Sequence, residues 1–207
     1  MSRFSNILTL CRSIAAGEFK FILFSYLLRA KKTDLEKEDL EQLNLSIETA
    51  YWYSNSGTSD LLRVFRKLNI VRSDSIIDFG SGKGGALLIF TLFPFKKISG
   101  VEISEKLIEI AKNNFKKLNV SGITTFHANA SVFRDLDDYN YFYFFNPFPP
   151  NIMDDVLKNI VQSIKCTPRK VRIVYKLAAC HDSIIANGFT LIKKFKTSGN
   201  PVCVYEN

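Results

Sequence analysis

The chain has 207 residues, of which 46% are hydrophobic and 23% charged, and a formal net charge of +8. These values exclude a disordered, collagen-like or repeat protein and predict one globular domain with a single core. A domain of this size needs neither a disulfide framework nor a structural metal for stability. The four cysteines are far apart and share no metal-ligand spacing with the two histidines, which is typical of free thiols in a reducing cytoplasm.

The positive charge is unevenly distributed along the chain. Residues 1–33 carry six Lys or Arg and one Glu, whereas residues 34–50 carry six acids and one Lys. The net charge of the first fifty residues is therefore zero. The remainder is mildly basic and has no dense run of Lys and Arg. A nucleic-acid partner is therefore left open, because charge alone neither requires nor excludes it.

We interpret residues 1–50 as an N-terminal helical extension. Apolar residues recur at helical spacing up to residue 16, and a nearly all-apolar segment follows from Phe19 to Lys32. Its uncharged run is too short to span a bilayer, and no signal-peptide cleavage site follows it. The extension either packs on the domain or on a partner helix, or lies on an anionic membrane surface as a basic amphipathic helix. The acidic stretch that begins at Thr33 is predicted to be a solvated helix capped by that residue.

From residue 59 onward, helical and strand patterns alternate, which is typical of a parallel sheet covered by helices on both faces. The last two strands are too close in sequence for a helical crossover and are predicted to form an antiparallel hairpin. The fold class is therefore α/β, with a doubly wound, mostly parallel seven-stranded sheet. The predicted helices are 59–68, 83–93, 104–118, 151–165 and 180–187, and the predicted strands are 75–79, 97–103, 123–128, 139–145, 170–177, 189–197 and 201–206.

A glycine-rich turn joins the first of these strands to the helix after it. Glycines allow a tight turn and let a ligand approach the N–H groups at the start of a helix. A P-loop is excluded, because Ile77 and Gly84 stand where that motif needs a Gly and a Ser or Thr around its lysine. The dinucleotide pattern G-x-G-x-x-G is matched by Gly80, Gly82 and Gly85.

The acid that precedes the turn, Asp78, separates the remaining ligand classes. A carboxylate at this position repels a pyrophosphate and attracts an ammonium group. Together with Gly80, Gly82 and Gly84 it resembles the first motif of the class I, seven-stranded, Rossmann-like S-adenosylmethionine-dependent methyltransferases, especially small bacterial ones of unassigned substrate. The resemblance covers residues 51–207 and implies a domain that binds S-adenosyl-L-methionine there.

The resemblance also implies roles for residues outside the glycine turn. Glu102, at the end of the second strand, accepts hydrogen bonds from the ribose hydroxyls in such enzymes, and Asn129 corresponds to the residue near the adenine amine. Tyr53 and Thr58 belong to a segment that folds over the methionine end of the cofactor, although a surface loop with aromatic anchors is an equal alternative. Lys83 is expected to point to solvent and receives no role.

The fourth strand ends in Asn146-Pro147-Phe148-Pro149-Pro150, next to the expected ligand crevice. This loop resembles the (D/N)PP(Y/F) motif of amino-group methyltransferases, with Phe148 in place of the second proline. The resemblance implies that the Asn146 carbonyl accepts a hydrogen bond from the substrate nitrogen and that Phe148 packs against the substrate. Alternatively, the prolines merely end a buried strand.

The predicted function is methyl transfer from S-adenosylmethionine to an amine nitrogen, on a protein lysine or a small molecule. Two alternatives stay open: a catalytically silent regulator that binds the cofactor, and an NAD-dependent oxidoreductase. No metal site is predicted, and His127 and His181 are interpreted as structural residues.

Overall fold

The protein is described by a computed structural model, which covers residues 19–39, 41–43, 46, 50–51 and 54–207. One seven-stranded sheet forms its centre, with the strand order β3-β2-β1-β4-β5-β7-β6. The strands are β1 (Ser75–Phe79), β2 (Lys97–Glu102), β3 (Ile123–His127), β4 (Tyr141–Phe145), β5 (Arg172–Lys176), β6 (Thr190–Phe195) and β7 (Val202–Glu206).

Helices cover both faces of the sheet. They are α1 (Phe19–Ala30), α2 (Ser59–Arg66), α3 (Gly85–Phe90), α4 (Glu105–Lys117), α5 (Pro150–Cys166) and α6 (His181–Ala186), with short 3-10 helices at Glu41–Leu43 and Ala130–Val132. All five residues of β1 are buried, which is expected for a parallel strand between two helical layers. Ile76 therefore joins one core, with Phe65 and Phe90, while Ile77 joins the other, with Phe142, so the sheet divides the predicted single core into two.

Strands β1 to β5 are parallel, and β7 is antiparallel to both β5 and β6. The predicted C-terminal hairpin and the α/β class are thus confirmed. The chain runs from β1 to β2 and β3 on one side, and returns to β4 on the other side. This reversal opens a crevice at the carboxyl ends of β1 and β4, where ligands bind in open α/β sheets.

The predicted elements after residue 59 are all present, with ends that differ by a few residues. The largest difference is in α3, which spans Gly85–Phe90 instead of residues 83–93. Gly84 has φ 82°, a left-handed conformation that does not continue a helix, and a Cβ atom there would lie 2.6 Å from the Phe115 ring. The glycine turn is therefore longer than its helical pattern indicates.

In the N-terminal extension, the apolar segment forms α1, whereas residues 1–18 lie outside the described residues. The predicted acidic helix from Thr33 is wrong, because the described residues 33–39 are not helical. The Thr33 hydroxyl donates to the Leu28 carbonyl at 3.0 Å and so closes α1 instead of opening a new helix. Two of the acids that follow, Asp34 and Glu38, form ion pairs with Lys83 in the glycine turn. In the described part of the chain, no helix is long and apolar enough to span a bilayer.

Candidate functional site

A cavity of about 360 Å³ opens at the carboxyl ends of β1, β2 and β4. Five of the predicted site residues line it together, although they come from four separate segments of the chain. They are Gly80, Glu102, Asn129, Asn146 and Phe148. The fold thus brings together in one cavity residues whose roles were predicted separately, each from its own sequence motif.

The glycine turn depends on the absence of side chains. Gly80 has φ 76°, and its N–H donates to the Val101 carbonyl at 2.9 Å. A Cβ atom on Gly80 would lie 2.5 Å from the Cβ of Pro147 in the loop after β4. Gly80 therefore does two things: it adopts a left-handed backbone conformation, and it lets the turn approach the Asn146 loop closely.

A second close approach occurs at Gly85, the last glycine of the turn. The loop of residues 54–58 crosses the start of α3 there, and a Cβ atom on Gly85 would overlap the Asn55 side-chain oxygen. That oxygen accepts a hydrogen bond from the Gly57 amide at 2.8 Å. Gly85, the last glycine of the G-x-G-x-x-G match, is therefore explained by the close packing of the 54–58 loop on the start of α3.

Glu102 ends β2 and is 6% exposed. One carboxylate oxygen accepts from the Gly82 amide at 2.8 Å, and the other accepts from the Ser104 amide at 2.9 Å. Burial raises the pKa of Glu102, and the hydrogen bonds from these two amides limit the rise. The carboxylate is therefore fixed in place, and it lines the cavity.

Asp78 lies one strand away from Glu102 and is also buried. Burial and the negative charge of Glu102 raise the pKa of Asp78 well above its ordinary value. Tyr143 pairs with Asp78 across β1 and β4. Within the described residues, the buried hydroxyls of Ser81 and Thr58 have no hydrogen-bond partner. The turn is thus surrounded by polar groups whose hydrogen bonds are incomplete.

Asn129 lines the cavity, but its side-chain oxygen is already used. The oxygen accepts from the Ser131 amide at 3.0 Å and from the Ser131 hydroxyl at 2.9 Å, which caps the 3-10 helix that follows. An amide oxygen has two lone pairs. The group that Asn129 still offers to a ligand is therefore its side-chain nitrogen.

The Asn146 loop is held by two distant tyrosines that sequence reasoning did not assign to it. Asn146 has φ 41°, and its side-chain oxygen accepts from the Tyr175 hydroxyl at 2.9 Å. The next carbonyl, that of Pro147, accepts from the Tyr51 amide at 2.9 Å. Phe148 is 4% exposed and packs edge-on against Phe144, so only a small part of its ring faces the cavity.

Lys83 is buried, which contradicts the prediction that its side chain points to solvent. Its side chain is 1% exposed, and its ammonium group lies 2.7 Å from an Asp34 oxygen and 3.1 Å from a Glu38 oxygen. A buried lysine must be paired with acids to avoid a large desolvation cost. The partners lie about fifty residues earlier in the sequence, so no local pattern indicated them.

Other predicted residues surround the cavity without lining it. Asp78, Gly82, Gly84 and Thr58 belong to the same turn and loops but do not line the cavity, and Tyr53 lies outside the described residues. His127 and His181 contact, respectively, the Ile103 carbonyl and the Tyr205 hydroxyl. Over the described ranges, no three His, Cys, Asp or Glu side chains are grouped as a metal site. Sequence reasoning missed Lys37, Leu43 and Tyr51, which line the cavity.

Comparisons with known proteins identify solved structures that share this architecture. No protein-family model matches the sequence. A ribosomal protein L11 methylase from Lactobacillus delbrueckii subsp. bulgaricus superposes with a TM-score of 0.57 at 16% identity, over 76% of this chain and 80% of that one. A magnesium protoporphyrin IX methyltransferase from Synechocystis PCC 6803, with bound S-adenosylmethionine, has a TM-score of 0.57 at 13% identity, over 73% and 78%.

An RNA methyltransferase from Salinibacter ruber, in complex with S-adenosyl-L-homocysteine, has a TM-score of 0.55 at 13% identity, over 72% of this chain and 91% of that one. The three proteins act on different kinds of substrate according to their names. At these identities the likeness establishes the fold, which is that of the class I S-adenosylmethionine-dependent methyltransferases.

Proposed function

We propose that the protein binds S-adenosyl-L-methionine and transfers its methyl group to an amine nitrogen. The observation that carries this proposal is the pair of buried carboxylates, Asp78 and Glu102, beside the glycine turn. A dinucleotide would have to place its pyrophosphate near the Asp78 carboxylate, which repels it. A ligand with ribose hydroxyls and an ammonium group instead provides donors and a positive charge. The oxidoreductase alternative is therefore disfavoured.

The residues present fit this cofactor. Glu102 would accept from the ribose hydroxyls, and Asp78 would complement the positive charge of the methionine end. The unpartnered hydroxyl of Ser81 provides a further polar group at the turn. When bound, the cofactor supplies a methyl group activated by a sulfonium. The chain has to bind, orient and desolvate the acceptor, because alignment supplies most of the catalysis in such a displacement.

Asn146 is the group that would orient the acceptor. Its side-chain oxygen accepts one hydrogen bond from Tyr175, which leaves one lone pair for the N–H of an amine. Phe145, Pro147 and Ile152 line the same end of the cavity and exclude water from it. We therefore assign Asn146 as the acceptor contact and Phe148 as an apolar wall with a small exposed area.

Lys176 favours the neutral form of an amine acceptor. It is 8% exposed, and its ammonium group lies 4.1 Å from the centre of the Phe145 ring, which lines the acceptor end. A nearby positive charge lowers the pKa of a second amine, and only the neutral amine has a lone pair for attack. A protein lysine or a small amine would both be activated in this way.

The catalytically silent regulator is the second candidate, and one observation favours it. The Pro147 carbonyl and one lone pair of Asn146 are already occupied by hydrogen bonds within the chain. Incubation of the protein and radiolabelled cofactor with fractionated cell lysate separates the two candidates. Labelled N-methyl groups support the enzyme, and cofactor binding without transfer to any fraction supports the regulator.

Calorimetric titration tests cofactor binding itself. We expect binding of S-adenosylmethionine or S-adenosylhomocysteine, no binding of NAD, and an affinity about 30-fold weaker in Glu102→Ala, because a buried charge-assisted hydrogen bond contributes about 2 kcal/mol. Asp138→Ala is the matched control, since that acid is exposed and pairs with Lys97 at the opposite end of β2. NAD binding without binding of the sulfonium ligand would refute the proposal.

We also propose that α1 contacts an anionic membrane surface. Three apolar side chains at helical spacing are exposed on it, namely Leu23 (48%), Tyr26 (67%) and Leu27 (38%). The opposite side is tied to the body, since Leu28 packs against the core and the Lys117 ammonium donates to the Lys32 carbonyl. Two exposed basic residues, Lys31 and Lys32, follow directly on the end of α1. This combination is typical of interfacial helices.

Sedimentation with lipid vesicles tests the membrane contact. The double variant Leu23→Glu, Tyr26→Glu should reduce binding to phosphatidylserine-rich vesicles about tenfold, because it removes buried apolar area and adds negative charge. Val132→Glu is the control, since Val132 is 66% exposed and lies elsewhere on the surface. Equal binding by the wild type and the double variant would contradict the proposal, and would favour a partner helix or packing on the domain.

A further inference from the structure

Lys83 makes a buried connection between the glycine turn and the N-terminal extension. Its ammonium group bridges Asp34 and Glu38, at 2.7 and 3.1 Å, although its own side chain is almost inaccessible to solvent. Glu38 is 15% exposed and also pairs with Lys106 at 3.2 Å. Removing one member of such a group leaves buried, uncompensated charge. The connection is therefore costly to break by removing the two acids, because the buried ammonium group then has no counter-charge, whereas Asp34 is 44% exposed and Glu38 is the more buried acid.

Asn114 on α4 strengthens the same connection through the backbone. Its side chain is fully buried, and its amide nitrogen donates to the Asp34 carbonyl at 2.7 Å and to the Lys83 carbonyl at 3.2 Å. Its side-chain oxygen accepts from the Asp34 amide at 2.9 Å. One asparagine thus holds the extension and the glycine turn at once.

The attached segment continues into the wall of the cavity. We call residues 33–39 and 41–43 the strap. Two of its side chains, Lys37 and Leu43, line the cavity, and Leu43 packs against Leu107 of α4. Leu107 lines the cavity on the side of Glu102, which is the side assigned above to the nucleoside. Without the strap, the cavity lacks part of its wall at this end.

The charges of the strap are also tuned by Lys83. The hydrogen bond from Lys83 is the main cause of a lowered pKa for Glu38, and Lys106 adds to it. Burial acts to raise the pKa of Asp34, but the hydrogen bonds from Lys83 and from the Glu36 amide, together with the charges of Lys83 and Lys117, outweigh it and lower the pKa of Asp34 as well. Both acids are therefore ionised at neutral pH and remain attracted to the lysine.

We propose that Lys83 is a positioning residue for the cofactor pocket: through Asp34 and Glu38 it holds the strap against the nucleoside end, so that Lys37 and Leu43 complete the wall. This inference rests on the proposed function. Lys83 does not line the cavity, so it acts on the cofactor only through the strap. Loss of the connection should release the cofactor faster and leave the acceptor end unchanged.

Two variants test the connection from opposite sides. Lys83→Met removes the ammonium group and keeps the length of the side chain. Asp34→Asn combined with Glu38→Gln releases the strap without changing the glycine turn. Both should weaken S-adenosylhomocysteine binding about tenfold, mainly through a faster dissociation rate, and the variant with all three changes should lose no more than either. Lys97→Met is the control, because it removes an ion pair at the amino end of β2.

Hydrogen exchange and turnover separate positioning from general stability. In the absence of ligand, both variants should lose protection in the strap and keep it in β1 and β4, while kcat at saturating cofactor stays within about threefold. Unchanged affinity in variants that have lost strap protection would overturn the inference and leave the proposed function intact. A uniform loss of protection, with affinity falling only as far as melting temperature predicts, would also overturn it. A wild type that binds no S-adenosylhomocysteine would overturn both.

Discussion

The two ends of the cavity are built in different ways. At the nucleoside end, Glu102 is fixed by two backbone amides. One belongs to Gly82 in the neighbouring glycine turn, and the other belongs to Ser104 in the loop that follows Glu102. At the acceptor end, the Asn146 loop is fixed by Tyr51 and Tyr175, which come from remote segments. The Glu102 carboxylate thus relies on backbone amides of nearby turns, whereas the Asn146 loop relies on remote segments, through the Tyr175 hydroxyl and the Tyr51 backbone amide.

This difference explains which residues a substitution should affect. A backbone-built site tolerates no added Cβ atom, because the approach of other groups depends on bare glycines. A site held by side chains changes more gradually, because removal of one hydroxyl leaves the loop in place with less restraint. We therefore expect the largest effects at the glycine turn and smaller, more selective effects at the acceptor end.

The largest effect is expected for Gly80→Ala. Its Cβ atom would adopt an unfavourable φ of 76° and would also lie 2.5 Å from Pro147, so the turn and the Asn146 loop have to separate. Cofactor affinity and turnover should both fall at least about 100-fold, because both ends of the cavity meet at this contact. Titration and activity assays on one preparation measure both quantities.

Gly122→Ala is the control for this prediction. Gly122 has a similar φ of 80°, but no atom lies within 4 Å of the position of a new Cβ. That variant should therefore lose only about 1 kcal/mol of folding stability from backbone strain and keep full affinity. If Gly80→Ala behaves like Gly122→Ala, the contact with Pro147 has no functional importance.

At the acceptor end, Asn146→Ala should reduce turnover about 100-fold and change cofactor affinity by a few-fold at most, since alignment of the acceptor supplies the catalysis. Tyr175→Phe should reduce turnover about tenfold, because Asn146 loses the hydroxyl that orients its side chain. Tyr205→Phe removes a hydroxyl bonded to His181 and serves as the control. An active but less stable Asn146→Ala would show that this residue only ends the strand.

The same difference determines how much could be predicted from the sequence. The strands, the glycine turn and Glu102 follow from local patterns, because each depends on residues within one strand-turn-helix unit. Lys83 was assigned to solvent because its partners, Asp34 and Glu38, belong to a stretch whose composition favours a solvated helix. Tyr175 is likewise a regular strand residue in the sequence, and only the sheet order brings it to Asn146. Long-range pairing of this kind leaves no periodic signal.

The smallest expected effect concerns Asp78. Its carboxylate favours binding of the ammonium group of the cofactor but lowers the stability of the folded protein. Burial and the charge of Glu102 raise its pKa above 3.8, so the folded state holds the proton more tightly than the unfolded chain does. Its contribution to stability is therefore full below about pH 3.8 and is lost as the pH rises through the raised value. At neutral pH the buried Asp78 carboxyl therefore lowers the stability of the ligand-free protein relative to acidic pH.

Asp78→Asn should accordingly raise the melting temperature of the ligand-free protein at pH 7 by about 2–4 °C, which corresponds to 1 kcal/mol for a chain of this size. The difference from the wild type should shrink as the pH falls towards about 4, because the unfolded wild-type chain then takes up the same proton that the folded state holds. Glu102 and Tyr143 face Asp78 and remain in both proteins, so subtraction of the two melting curves isolates residue 78. The variant should also bind S-adenosylmethionine more weakly, since the ammonium group loses its counter-charge. A variant that melts lower at pH 7 would instead assign the Asp78 carboxylate a structural role in the turn.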